Sequence, residues 1–168
     1  HDVGVGDVVA AWLPNSAASY VVMLAAAGLG ATFVSTSPDF GVDGVLDRFG
    51  QVDPKVLIAA NGYVYGGRDF DCLDRLATVR AALPSLDAVY IEQIIESQTD
   101  LDPTIHGVPL GDALDQFDAA EPVFTRLPFD HPLYVLFSSG TTGKPKPIVH
   151  RAGGVLLTHM KEQQLACD

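Results

Sequence analysis

From Val8 to Pro38 the chain carries no charged side chain, a length that raises the question of a membrane-spanning helix. Pro14-Asn15 and Gly28-Leu29-Gly30 divide it, and Ser16, Ser19, Thr32, Ser35, Thr36 and Ser37 dilute it. It therefore reads as a buried strand, a helix and a second strand. Val8 to Leu13 forms the first strand, and Asn15 or Ser16 caps a helix that runs to Ala27 and ends at Gly28 or Gly30. Ala31 to Ser35 follows as a strand, Pro38-Asp39-Phe40-Gly41 as a turn, and Val42 to Phe49 as a helix. Trp12, Tyr20 and Phe33 are expected in the core.

The pattern continues with the β-branched strand Val56 to Ala60, and Asn61-Gly62 before Tyr63-Val64-Tyr65 carries the signature of a hairpin turn. Leu73, Leu76, Val79 and Leu83 recur at helical spacing within Asp71 to Leu83, a helix stopped by Pro84; Ala88 to Ile91 is a further strand. Residues 93–130 break the rhythm, being acidic and interrupted by Pro103, Pro109, Pro122 and Pro128. They predict an irregular excursion with a short helix near Leu110 to Phe117. Strands return at Leu133 to Phe137 and Ile148 to His150, and Gly153-Gly154 leads into a last helix from Val155. Strands and helices alternating at short intervals predict an α/β fold, a mostly parallel sheet with helices on both faces.

Length and 48% apolar content suit one hydrophobic core. A net charge of −11 argues against general affinity for nucleic acid or anionic membranes. Its distribution is uneven: residues 1–143 hold six Lys and Arg against nineteen Asp and Glu, whereas residues 144–168 hold four against two. A polyanionic ligand is thus drawn to the end of the chain. Cys72 and Cys167 are too few for a disulfide scaffold, show no metal spacing and fit a reducing, cytoplasmic setting. No signal peptide is visible.

The favoured end also carries the most specific motif. Leu133-Tyr134-Val135-Leu136-Phe137 delivers Ser138-Ser139-Gly140-Thr141-Thr142-Gly143-Lys144-Pro145-Lys146, a turn with four hydroxyls, two glycines and two lysines. Enclosing a polyphosphate needs those properties: close backbone approach, many donors and compensating charge. The loop is not of the Walker type, since two residues rather than four separate its glycines and Pro145 follows Lys144.

Residues Val135 to Lys146 resemble the phosphate-loop signature of the adenylate-forming enzymes, which include acyl-CoA synthetases, luciferases and peptide-synthetase adenylation domains. Gly6-Asp7-Val8-Val9-Ala10, Leu13-Pro14-Asn15 and Leu29-Gly30-Ala31 resemble the opening of the large domain of acyl-CoA synthetases. Ser37 to Gly41, Val45 to Phe49, Pro54 to Leu57, Gly62 to Gly67 and Ile148-Val149-His150 with Gly153-Gly154 are similar to one branch, the acetoacetate-CoA ligases. The sequence departs from the family's pattern at Pro147, which stiffens the loop exit and removes a backbone donor, and at Arg151.

The resemblance implies that residues 1–168 are a partial domain, a piece of the large N-terminal AMP-binding domain of a longer ligase. The chain lacks an initiator Met and stops at Asp168 within an amphipathic helix, and such a fragment is expected to be inactive alone. The implied reaction joins acetoacetate to the α-phosphate of ATP and then passes the acyl group to coenzyme A. ATP, Mg²⁺ and coenzyme A are the implied cofactors, and the partners are these small molecules and the remainder of the parent enzyme. Another short-chain acyl-CoA synthetase and a non-catalytic nucleotide-binding or scaffold module are the alternatives.

Within the loop, Ser138, Ser139, Gly140, Thr141, Thr142, Gly143, Lys144 and Lys146 are the candidates for the ATP phosphates. Thr142 and Lys146 are the candidates for direct catalytic contact, since by resemblance the Lys144 position varies. The resemblance also places the Phe40-Gly41 turn near coenzyme A and matches Arg68 to an arginine that approaches its 3′-phosphate; Asp69 is an alternative partner for Arg68. His150, alone beyond the loop, reads as structural, and His106, His131 and His159 show no metal spacing.

Overall fold

The computed structural model describes residues 1–96, 103–138 and 143–167. Its centre is a seven-stranded sheet in the order β7-β6-β3-β1-β2-β8-β9. The strands are β1 (Val8–Trp12), β2 (Thr32–Thr36), β3 (Val56–Ala60), β6 (Ala88–Glu92), β7 (Gly107–Pro109), β8 (Pro132–Ser138) and β9 (Lys146–Arg151). Every pairing is parallel except β8 with β9.

All five residues of β3 are buried, as expected of a parallel strand covered on both sides. Side chains alternate across the sheet and divide the core in two. On one face, helices α2 (Val42–Phe49) and α3 (Leu73–Ala82) bring Val45, Phe49, Leu73, Leu76 and Val79 onto Ala10, Trp12, Val34, Leu57 and Val135. On the other, α1 (Ala17–Leu29) sets Val22 and Ala26 on Val9, Ala11, Phe33 and Ile58. Helix α1 ends at Gly30, whose left-handed φ of 79° reverses the chain so that Ala31 N–H can bond Ala26 O. Two further helices are α4 (Leu110–Leu114) and α5 (Ala152–Ala166).

Four expectations need correction. Asn61-Gly62 is not a hairpin turn. Gly62 opens β4 (Gly62–Tyr65), which pairs with β5 (Arg68–Asp71) through Gly66-Gly67. Those two glycines have φ of 58° and 72°, the geometry a tight hairpin demands and side chains resist. Asn61 is instead a buried tether: its Nδ2 donates to Ile95 O at 2.7 Å, and its Oδ1 accepts from the N–H groups of Ile94 and Ile95 at 2.8 and 3.2 Å. Second, the excursion after residue 93 is not wholly irregular, because β7 extends the sheet beside β6. Third, Tyr20 is exposed rather than in the core, while Trp12 and Phe33 are buried. Fourth, Ser16 begins α1 but its hydroxyl makes no cap bond; Ser19 Oγ donates to Pro14 O at 2.7 Å.

Candidate functional site

The parallel strands β1, β2, β3 and β8 end on one rim of the sheet, the rim at which α/β folds place ligands. Four segments leave the strands at that rim: Leu13-Pro14-Asn15 after β1, Ser37 to Gly41 after β2, Asn61 after β3, and the chain beyond Ser138 after β8. The loop is the connection of an antiparallel hairpin, closed where Ser138 pairs with Lys146 and Phe137 with Pro147. Ser139, Gly140, Thr141 and Thr142 lie outside the described residues. Gly143 has a φ of 124°, a backbone state that strains any side-chain-bearing residue.

The two lysines of the loop stand in different settings. Lys144 Nζ is 3.6 Å from Asp47 Oδ1 in an exposed ion pair, a contact of the kind that contributes about 0–1 kcal/mol. Lys146 is exposed and has no ion pair among the described residues.

Helix α2 sits against both ends of the loop. Gln51, just past its C-terminus, donates through Nε2 to Pro145 O at 2.9 Å and to Asp47 O at 2.5 Å. Arg48 lies with its guanidinium carbon 4.1 Å from the centre of the Phe40 ring and 5.9 Å from that of Phe137, and Nη1 donates to Gly44 O. Phe40, Arg48 and Phe137 line a cleft of about 630 Å³ together with Asn15, Tyr20 and Thr36. The buried hydroxyl of Thr36 has no hydrogen-bond partner among the described residues.

The AMP-binding enzyme family matches residues 1–167. The chain belongs to that family. It is 50% identical over 167 residues to the acetoacetyl-coenzyme A synthetase of Rhizobium meliloti (strain 1021), a match covering 98% of this chain and 25% of that protein. It is 40% identical over 168 residues to a malonamoyl-CoA synthetase of Penicillium aethiopicum, covering 96% and 23%. The solved structure of an acetoacetyl-CoA synthetase from Streptomyces lividans superposes with a TM-score of 0.89 at 44% identity, over 99% of this chain and 25% of that one. The chain thus spans about a quarter of the length of the relatives it matches.

In this member of the AMP-binding enzyme family Phe40 and Gly41 form the turn that starts α2, with Gly41 at the cap position and Phe40 partly exposed under Arg48. Arg68 opens β5, is exposed, and makes no ion pair with Asp69 among the described residues. Adjacent strand residues point to opposite faces, which separates the two. A second cleft, of about 670 Å³, runs between Asn15, Asp39 and the β4–β5 hairpin, where Tyr63 and Phe70 stack with ring centres 5.0 Å apart. It adjoins the point where the crossovers from β1 and β3 run opposite ways, the switch point of the sheet.

His150 lies on β9 with its ring 5.2 Å from that of Tyr134. Cys72 is buried, and burial pushes its thiol pKa up while the guanidinium of Arg75, 3.0 Å from Sγ, opposes the rise. No group of three metal-ligating side chains converges among the described residues, and none of the described helices is long and apolar enough to cross a membrane.

Asp47, Arg48, Gln51 and Thr36 escaped the sequence reading. Only the run Val45 to Phe49 had drawn notice, as part of the family resemblance. Gln51 meets a partner 94 positions away, which no local pattern signals.

Proposed function

We propose that this chain supplies the phosphate-binding wall of an ATP-dependent acid–thiol ligase that activates acetoacetate. The observation that carries the reading is the Ser138–Lys146 loop at the carboxyl end of β8, in a chain half identical to an acetoacetyl-coenzyme A synthetase. In the first step a carboxylate oxygen of the acid attacks the α-phosphorus of ATP, the bond to the β-phosphate oxygen breaks, and pyrophosphate leaves. In the second the coenzyme A thiolate attacks the acyl carbonyl and AMP departs.

The chain's own part in this is positioning and charge. Ser138, Ser139, Thr141 and Thr142 donate to phosphate oxygens, the backbone at Gly140 and Gly143 permits close approach, and Lys146 neutralises charge on the departing pyrophosphate. Lys144 joins once released from Asp47, a weak surface tie. The loop offers hydroxyls and ammonium groups rather than carboxylates, a set that would hold the phosphates rather than a metal; Mg²⁺ carried by ATP would supply further neutralisation of phosphate charge there. Phe40, Gly41 and Arg68 form the wall for coenzyme A, Arg68 toward the 3′-phosphate. The exposed arginine, unpaired with Asp69, supports that role.

Acetoacetyl and malonamoyl groups, named in two relatives, differ only by CH₃ against NH₂ on the distal carbonyl. A short acid with a carbonyl at C3 is therefore the substrate class, and acetoacetate its member favoured by the higher identity. A cytoplasmic location and a place in fatty acid metabolism accord with this chemistry.

The test is Lys146→Ala in the full-length protein. A hydrogen bond to a charged group contributes about 1.5–3 kcal/mol, so acetoacetate-dependent adenylation slows about 10- to 150-fold while thioester formation from preformed adenylate changes little. Unchanged single-turnover adenylation with impaired coenzyme A transfer would refute the assignment.

A further inference from the structure

Three contacts converge on the C-terminal end of α2. Gln51 Nε2 reaches Pro145 O, on the exit of the phosphate loop, at 2.9 Å. Asp47 Oδ1 meets Lys144 Nζ, two positions after the last undescribed loop residue, at 3.6 Å. Arg48 stacks on Phe137, one residue before Ser138 at the loop's entrance, and on Phe40, in the turn that begins the same helix. One short helix thus touches the loop on both sides and the Phe40 turn as well. The helix itself is fixed, since Val45 and Phe49 are fully buried beneath it.

We propose that Gln51 and Arg48 are positioning residues: they fasten the two ends of the phosphate loop to α2 and make that helix the common support of the ATP and coenzyme A walls. The proposal rests on the phosphate reading above. Its chemical logic is specific. Pro145 and Pro147 leave the loop exit short of backbone donors, so the exit is pinned through an acceptor, the Pro145 carbonyl, and Gln51 brings the donor. The amide also bonds Asp47 O, the main chain of the residue that holds Lys144. Arg48 has no carboxylate partner among the described residues; two aromatic rings and a carbonyl hold it instead, an arrangement in which the cation keeps both rings in register.

The experiment uses the full-length protein, with acetoacetate-dependent ATP–pyrophosphate exchange for the ATP step and thioester formation for the KM of coenzyme A. Gln51→Glu keeps the shape but turns a donor toward two carbonyl oxygens into an acceptor. Losing a neutral hydrogen bond raises the KM for ATP about 2- to 10-fold, and repulsion adds to that. The rate at saturating ATP, the KM for coenzyme A and the melting temperature stay near wild type, a split that a merely structural role would not produce. Gln51→Ala gives a smaller rise of the same kind. Arg48→Met, which keeps length and apolar contact with the rings, raises the KM for ATP and for coenzyme A together, and Arg48→Lys recovers part of both.

An unchanged KM for ATP in both Gln51 variants, with Lys146→Ala still slowing the exchange, overturns the brace and leaves the loop's role standing. A fall in melting temperature without a shift in KM overturns it equally. If Lys146→Ala itself leaves the exchange unchanged, the phosphate reading fails and the brace falls with it.

Discussion

The centre of the sheet and its β9 edge are built differently. Around β3 and β1 both faces are closed: β3 is buried along its length, and Phe49, Leu76 and Val45 are wholly shielded. Around β9 the apolar side chains lie open. Ile148 and Val149 are about half exposed, at 48% and 49%, and α5 buries only Gly153 while Leu156, Leu157 and Leu165 face outward. Among the described residues nothing covers these side chains as α1, α2 and α3 cover the centre. Packing therefore holds the centre and main-chain pairing, with the α2 contacts, holds the β9 edge. The Ser138–Lys146 hairpin connection belongs to that edge. Stability and the proposed phosphate contacts are thus kept in different parts of the molecule.

The sharpest way to break that contrast is a pair of truncations read by urea denaturation. Phe49→Ala, in the closed half, is expected to cost about 3–5 kcal/mol, while Ile148→Ala in the open half costs less than about 1 kcal/mol. Equal losses would abolish the distinction.

A smaller effect locates the boundary of the closed half. Asn61→Ala strands the N–H groups of Ile94 and Ile95 and the Ile95 carbonyl, and leaving such groups unpaired costs about 1–3 kcal/mol. Amide exchange should accelerate at Ile94 and Ile95 before it does in β3. Acceleration in both together would place the tether inside the core rather than at its margin.

The smallest concerns Asp7, whose carboxyl is held below its usual range first by the N–H of Gly4 and then by Lys55, 3.1 Å away. A depressed carboxylate contributes stability that is present above its unfolded pKa of about 3.9 and lost as pH falls through the folded value. Asp7→Asn should thus lower the melting temperature slightly at neutral pH and leave it unchanged once the pH lies below the folded-state pKa. A deficit that persists in acid would show that the side chain acts by shape, not charge.

How far the sequence could be read follows the same division. Val42–Phe49 and Val56–Ala60 match their expected bounds, because apolar spacing and flanking glycine or proline report directly on a packed core. β7 escaped notice because three residues ending in Pro109 give no period to detect. Asn61-Gly62 misled because a turn dipeptide and a buried amide tether look alike until Ile94 and Ile95 are seen beside it. The loop announced itself through composition. Its supports did not, since Arg48 and Gln51 act on Phe137 and Pro145, far along the chain.

Lys146 stands between two prolines. Each fixes its own φ, and Pro147 also confines the residue before it to extended backbone, the conformation that β9 adopts. Few main-chain states are open to this lysine even in the unfolded polypeptide, so folding sacrifices little disorder to fix it. For the phosphate contact we propose, only the side chain's rotamers would remain to be frozen, and affinity lost to ordering would be correspondingly small.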